Sequence, residues 1–282
     1  MIVKKVSESV EQNLFEMAQQ CVMTVDSGQK VQLTQIVAQA WRENQLLIQS
    51  VQPIQPISSP GQPLHLQLVA PKFVPKRTLH TREGVVALLH ALAHIEFNAI
   101  NLAWDAVYRF RDLPAQFYAD WIQVAQEESE HFLLLHEQLQ RFDCEYGDLP
   151  AHNGLWEMAT DTADDVMVRM ALVPRVLEAR GLDATPEIIA KLRQKGESTL
   201  VEILEIILRE EIDHVAKGTR WFRFCCDLRQ LESQSTFLQL IQQHFKGRLK
   251  GTLNHAARLA AGFTEAELLA LKSDSRENTV VS

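Results

Sequence analysis

The chain has 282 residues, 46% hydrophobic and 23% charged, which is enough for a large globular core. A net charge of −8 excludes a strong general attraction to nucleic acid or anionic membranes. The cysteines Cys21, Cys144, Cys225 and Cys226 form no Cys-x-x-Cys pair and read as reduced thiols. No signal peptide follows Met1, and no 18-residue stretch reads as apolar enough to span a membrane, so the expected compartment is the cytoplasm.

Six of the ten prolines fall between Pro53 and Pro75, and long stretches rich in Ala, Leu, Glu and Gln predict a mostly helical chain. Val10, Leu14, Met17 and Cys21, with Ser9 and Gln12 as a capping box, predict a helix over 7–26. A second is expected over 34–48, around Ile36, Val37, Ala40 and Trp41. The proline-rich stretch 51–78 reads as an extended strap that also packs Leu64, Leu66, Leu68, Val69 and Phe73. Longer helices follow over 82–110 and 114–142, the second capped by Asp112 with Pro114 in its first turn. Another is predicted over 161–180, kinked at Pro174 and ended by Gly181, with a separate short piece from Thr185-Pro186 to Lys195. A helix over 198–230 and shorter ones over 234–245 and 264–272 precede a tail, from Ser273, that reads as disordered. The fold class is all-α, with three parts: N-terminal helices and strap over 1–80, a four-helix bundle over 81–230, and a C-terminal helical extension and tail over 231–282.

Within these helices one signal occurs twice, as Glu127-Glu128-Ser129-Glu130-His131 and Glu210-Glu211-Ile212-Asp213-His214. Glu and His three apart leave one helix face about 60° apart. Two such pairs, plus one Glu from each of two further helices, make the ligand set of a carboxylate-bridged dimetal site in a four-helix bundle. The face neighbours of Glu128 are Trp121, Val124, Ala125, Phe132 and Leu135; those of Glu211 are Leu204, Ile207, Leu208, Val215 and Gly218. Glu96 lies equally among Leu89, Leu92, Ala93, Ala99, Ile100 and Ala103. Glu127, beside Asp120, Gln123 and Glu130, reads instead as part of a solvated face, and Glu210 is placed likewise in polar surroundings.

Lone buried carboxylates cost several kcal/mol each, so four of them require compensation, and two divalent cations supply it. The oxygen-rich set with two imidazoles suits iron or manganese. Glu96 and Glu128 each lie 14 residues from their shared turn, so an antiparallel hairpin brings them to the same height. Glu178 joins them if its helix resumes in the same direction at Pro186. Separations of 82 residues from Glu96 to Glu178, and 83 from Glu128 to Glu211 and from His131 to His214, outline a pseudo-twofold arrangement. The expected ligands are therefore Glu96, Glu128, His131, Glu178, Glu211 and His214.

Other residues read as structural. His90 and His94 share a face with Asn98, Asn101 and Asp105 and are expected in polar contacts under the strap rather than on a metal. Trp104, Tyr108 and Tyr118 read as core, and Lys246, Arg248, Lys250 and Arg258 as solvated surface. Glu130 and Asp213 are open between orienting the histidines and facing solvent.

The chain resembles the ferritin-like di-iron carboxylate superfamily and, more narrowly, the bacterial domain of unknown function family 455. The resemblance spans about residues 50–270. It rests on Val74-Pro75-Lys76-Arg77, the run Leu88 to Glu96, Glu127 to His131, Glu178-Ala179-Arg180-Gly181-Leu182-Asp183, Glu210 to Gly218 with Trp221-Phe222, Asn254-His255-Ala256-Ala257-Arg258 and Ala261-Gly262-Phe263. It implies a ferritin-like four-helix bundle and a dimetal site on the six residues named above. The metals would be two iron ions, with manganese or a mixed pair as alternatives. The leading expectation is an oxygen-activating oxidoreductase, a hydroxylase or oxidase, that takes a small-molecule substrate, O2 and an electron donor. The rivals are a non-catalytic iron-binding or ferroxidase protein and a tRNA-modifying hydroxylase; tRNA is the one nucleic acid considered as a partner, and no membrane is.

Overall fold

The computed structural model describes residues 12–49, 52–245 and 251–274. Ser9, Val10, the basic residues Lys246, Arg248 and Lys250, and the tail beyond Asp274 lie outside the described residues.

The described chain is mostly helical. Its one sheet pairs β1 (Gln12–Asn13) in parallel with β2 (Leu46–Leu47). Helix α1 (Leu14–Met23) starts at Asn13, whose side chain accepts from Phe15 N at 2.9 Å. Thr24 is extended, and Asp26 caps α2 (Ser27–Arg42) by accepting from Gln29 N at 2.8 Å. The first two helices therefore end and begin differently from the sequence expectation. The buried side of α2 includes Lys30 and Thr34, which break the apolar period. Both are satisfied from other helices. Lys30 Nζ donates to Cys21 O, Val22 O and Asn101 Oδ1, and Thr34 Oγ1 accepts from Trp104 Nε1 at 2.9 Å.

The strap is extended apart from a turn closed by Leu66 N donating to Pro63 O and a 3-10 turn at Pro71–Phe73. It buries Ile57 and Leu66, whereas Leu64 and Phe73 project into solvent. Helices α3 (Arg82–Arg109) and α4 (Ala115–Gln140) form the most extensive helix pair, and α1 and α2 pack on them. Asp112 does not cap α4: it adopts a left-handed φ of 62° in the turn, and Pro114 occupies the cap position. Tyr108, Tyr118 and Trp104 are core residues, as expected. The Tyr108 hydroxyl accepts from Gln55 N at 2.7 Å and so ties the strap to α3.

An unpredicted helix, α5 (Gly154–Asp161), precedes α6 (Val166–Leu172). From α6 the chain passes through a wide π-helical turn, Val173–Glu178, straight into α7 (Ala179–Gln194). Gly181 and Pro186 therefore lie inside α7 and do not end it. The wide turn absorbs the predicted kink at Pro174, where the proline ring would clash with the preceding helical turn. Helix α8 (Ser198–Leu228) packs along α4, α6 and α7. Helices α9 (Ser233–Phe245), α10 (His255–Ala260) and α11 (Glu265–Asp274) complete the described chain, and α10 has no counterpart in the sequence reading.

A single apolar cluster runs from Leu14 to Leu271 through all these layers. All four cysteines are buried free thiols. Contrary to the sequence expectation, α3 is long and apolar enough to cross a membrane by length and composition, but most of that stretch is buried inside the protein.

Candidate metal centre

The two Glu-x-x-His segments meet face to face in the interior. Glu128 and His131 on α4 are fully buried, as is His214 on α8; Glu211 on α8 and Glu96 on α3 are buried beside them. Glu96, Glu128, His131 and Glu211 each offer one ligand atom, and those four atoms lie within 4.8 Å of one another, so the group can hold a metal ion. His214 completes the approach from α8: its Nδ1 lies 2.9 Å from Glu128 Oε1 and 4.0 Å from Glu211 Oε2. His131 Nδ1 lies 3.3 Å from Glu96 Oε2 and 3.4 Å from Glu128 Oε2. Glu178, the last residue of the wide turn, stands apart from the tight group of four. It remains within electrostatic reach of Glu128 and His214, and its Oε2 is buried without a hydrogen-bond partner.

The outer ring nitrogens show how the histidines are aimed. His131 Nε2 lies 2.8 Å from Glu210 Oε2, and His214 Nε2 lies 2.7 Å from Glu127 Oε2. Each histidine is thus held by the carboxylate that precedes the cluster glutamate, Glu211 or Glu128, of the opposite helix. These outer contacts fix the ring orientation and leave Nδ1 as the nitrogen turned toward the cluster, where it can serve as a ligand once it has given up its proton. Glu127 and Glu210 are therefore half-buried partners of the histidines, not members of a solvated face. Sequence reading missed them because their neighbours on their own helices are polar, while their partners lie on the other helix. The doubled Glu-Glu in both copies is the signal that could have found them. Glu130 and Asp213 do not take this role: Glu130 accepts from Gln126, and the exposed Asp213 pairs with the buried Lys217 of its own helix.

Electrostatics mark the cluster as overcrowded with acid. Burial, then the charge of Glu128, push the carboxyls of Glu96 and Glu178 up to about 8 and that of Glu211 well above the ordinary range. Burial would also raise Glu128, but close contact with His131 and the charge of His214 outweigh it and hold this carboxyl far below the usual range. Burial alone would lower both histidines. Contact with Glu128 and with the outer carboxylates reverses this, raising His131 well above its ordinary value and His214 to about 10. Hydrogen bonding to His131 in turn lowers Glu210 to about 2.

Seven of the thirteen buried side-chain polar atoms without a hydrogen-bond partner, among the described residues, belong to these six side chains. They are Glu96 Oε2, both oxygens of Glu128, Glu178 Oε2, Glu211 Oε2 and the Nδ1 atoms of His131 and His214. Orphaned buried polar atoms are rare and costly, and here they converge as oxygen and imidazole donors without a competing thiolate. The donor set fits hard or borderline divalent cations.

The other singled-out residues do not join the cluster. His90 Nε2 accepts from Gly147 N at 2.9 Å, while the two ring nitrogens of His94 contact the Tyr146 hydroxyl and His152 O. Their polar contacts are thus made to the loop after α4 rather than under the strap. Burial lowers both histidines to about 4. Arg258 is not solvated surface; it is buried against Asp183.

Residues 23–269 match the family described as "Protein of unknown function (DUF455)". A relative from Haemophilus influenzae, an uncharacterized protein, is 50% identical over 216 residues, covering 74% of each chain. No solved structure matches the chain. A family match across most of the sequence, together with a relative this similar, establishes that the chain belongs to the DUF455 family.

Proposed function

We propose that this chain is a ferritin-like dimetal carboxylate protein that holds two iron ions and uses them to activate O2 for oxidation of a small-molecule substrate. The observation that carries the reading is the pair of inward-facing, partnerless Nδ1 atoms of His131 and His214, set among four buried carboxylates. Glu96, Glu128, His131, Glu178, Glu211 and His214 would hold the metals, and two divalent ions would balance the four negative charges. When bound, such an iron pair supplies the electrons and the open coordination positions for O2 chemistry.

The chain supplies orientation and dryness. Glu127 and Glu210 accept from the Nε2 atoms and so aim Nδ1 inward, where each imidazole would become a neutral ligand when a cation displaces its Nδ1 proton. Glu128, in contact with both histidines, is common to the two halves of the site. Trp121, Val124, Phe132, Leu204, Ile207 and Val215 are buried on the same helices and exclude water from the cluster. The protons held by Glu96, Glu178, Glu211 and the two histidine Nδ1 atoms would leave as cations enter.

The test begins with metal analysis after anaerobic Fe(II) loading of the full chain. Two metals per chain are expected, and none would refute the site. Aerobic reoxidation of the loaded protein is then followed optically beside Glu128→Ala. A metal-dependent signal in the wild type that is lost in the variant supports the reading; its absence from the wild type removes oxygen activation.

A further inference from the structure

Five of the six cluster residues sit in ordinary α-helix, where regular backbone hydrogen bonds fix the side-chain origin. Glu178 does not, because it closes the π-helical turn. The C-terminal segment around α10 and the start of α11 converges on the stretch that carries it.

Three residues before Glu178, Arg175 is fully buried, with its guanidinium carbon 4.8, 3.8 and 4.6 Å from the ring centres of Phe222, Phe237 and Phe263. Its Nη2 donates to Glu267 Oε1 at 2.6 Å. After Glu178, the buried Arg258 donates from Nε and Nη2 to the two oxygens of Asp183, at 2.9 and 2.7 Å, and from Nη2 to Ala179 O at 3.3 Å. Asn254 N donates to Asp183 Oδ1 at 2.8 Å.

The remaining contact explains why α7 survives its proline. Pro186 has no N–H, so Leu182 O loses the donor that a helix would provide four residues later. Asn254 Nδ2 fills that place, donating to Leu182 O at 3.1 Å. Burying two arginines costs free energy unless each is paired, and both pairs are spent on the turn and first residues of α7.

We infer that the segment from Asn254 to Glu267 is a clasp that sets the position of Glu178 and so completes the second metal position. Arg175, Asp183, Asn254 and Arg258 are its positioning residues. The inference rests on the dimetal reading above.

The test is anaerobic Fe(II) titration of the full chain under a competing chelator, comparing wild type, Glu178→Ala, Asp183→Ala and the double variant. Helix content is followed by circular dichroism. In the wild type two ions bind. Asp183→Ala should keep its helix content and its tighter ion while the weaker ion loses affinity by about 10- to 100-fold, as Glu178→Ala does. The double variant should be no worse than Glu178→Ala alone, because both changes remove the same contribution. Arg258→Lys, which keeps the charge but only part of the fork, should show a smaller shift of the same ion and serves if Asp183→Ala does not fold. Unchanged binding in Asp183→Ala and Arg258→Lys overturns the clasp while leaving the metal site intact. Equal weakening of both ions, additive with Glu178→Ala, also overturns it and leaves only a general stability role. No binding by the wild type overturns the dimetal reading, and the clasp with it.

Discussion

The two halves of the site carry the same letters but are built differently. In the first half, α3 and α4 are uninterrupted helices that deliver Glu96, Glu128 and His131 from regular backbone. In the second half, α8 repeats the Glu-x-x-His pattern, but its partner glutamate comes from a π-helical turn braced from outside. Seven residues after Glu128, the first half has the buried side chain of Leu135; seven after Glu211, the second half has Gly218. A Cβ at Gly218 would fall far inside contact distance of the Pro174 ring. The symmetric elements are therefore those that aim the histidines, and the asymmetry is concentrated at Glu178. Ligand geometry can be repeated while its support is not, and the half with the weaker local support is the one held by the C-terminal segment.

The largest effect belongs to the residue that the halves share. Glu128→Ala removes the carboxylate that faces both histidines, at 3.4 and 2.9 Å. Metal content should fall from two ions to less than one, whereas loss of Glu96 or Glu178 should spare one. A Glu128→Ala protein that retains two ions would break the claim that the halves meet at this residue.

Next come the crossed outer carboxylates. Glu127→Gln and Glu210→Gln each keep the volume but weaken the grip on one Nε2 proton. Each should lower metal affinity by about 10- to 100-fold, as partners behind metal-bound histidines do elsewhere. Because the two contacts are nearly equal in length, at 2.7 and 2.8 Å, the two losses should match within a factor of a few. Chelator competition at fixed pH measures both, and a large inequality would show that the symmetry is only geometric.

The pH dependence follows from the strained acids. Glu96 and Glu178, at about 8, keep protons that an unfolded chain releases near pH ~4.3. The folded metal-free protein binds the extra protons, so these two groups make it lose stability as pH rises through that window. Glu210, lowered to about 2, acts oppositely: its contribution is present above pH ~4.3 and fades as pH falls toward 2. Metal entry would displace the protons of Glu96, Glu178 and Glu211 and the Nδ1 protons of both histidines, so affinity should rise between pH 6 and 8, on the order of 10-fold per pH unit for each proton released. Affinity that is flat across that range would mean that these carboxyls and histidines are already deprotonated without metal.

How much of this was legible depended on whether the satisfying partner was local. Helices α3, α4 and α8 were readable to within a residue or two because their apolar periods are long and continuous. Glu128, Glu211 and Glu96 stood out as acids in the middle of those periods. Helix α2 was misplaced because its buried side includes Lys30 and Thr34, whose partners Asn101 and Trp104 lie on another helix. Helix α7 was cut short because Gly181 and Pro186 are ordinary stop signals, and the donor that overrides Pro186 is Asn254, 72 residues away. The roles of Glu127 and Glu210 were hidden for the same reason. Nothing in the helical period of one segment reports a hydrogen bond to the other.

The smallest effect tests the asymmetry directly. Replacing a mid-helix glycine with alanine usually stabilises by about 1 kcal/mol, because glycine has more backbone freedom to lose. At Gly218 the new methyl must displace the Pro174 ring, which is rigid and tied to the turn that ends at Glu178. Overpacking of this kind costs about 1–3 kcal/mol and should outweigh the propensity gain. Gly218→Ala should therefore lower stability by about 1 kcal/mol in urea unfolding, with an unchanged m-value. Ala at Leu135, the corresponding position of the first half, should also destabilise, but by opening a cavity rather than filling a contact, at about 2–5 kcal/mol. Shortening the facing residue should separate the two mechanisms. Pro174→Ala should relieve Gly218→Ala and leave Leu135→Ala untouched, because only the first shares its contact with the wide turn. A stabilising Gly218→Ala would mean that the Pro174 ring yields freely, and the turn beneath Glu178 would then have no support from α8 at that point.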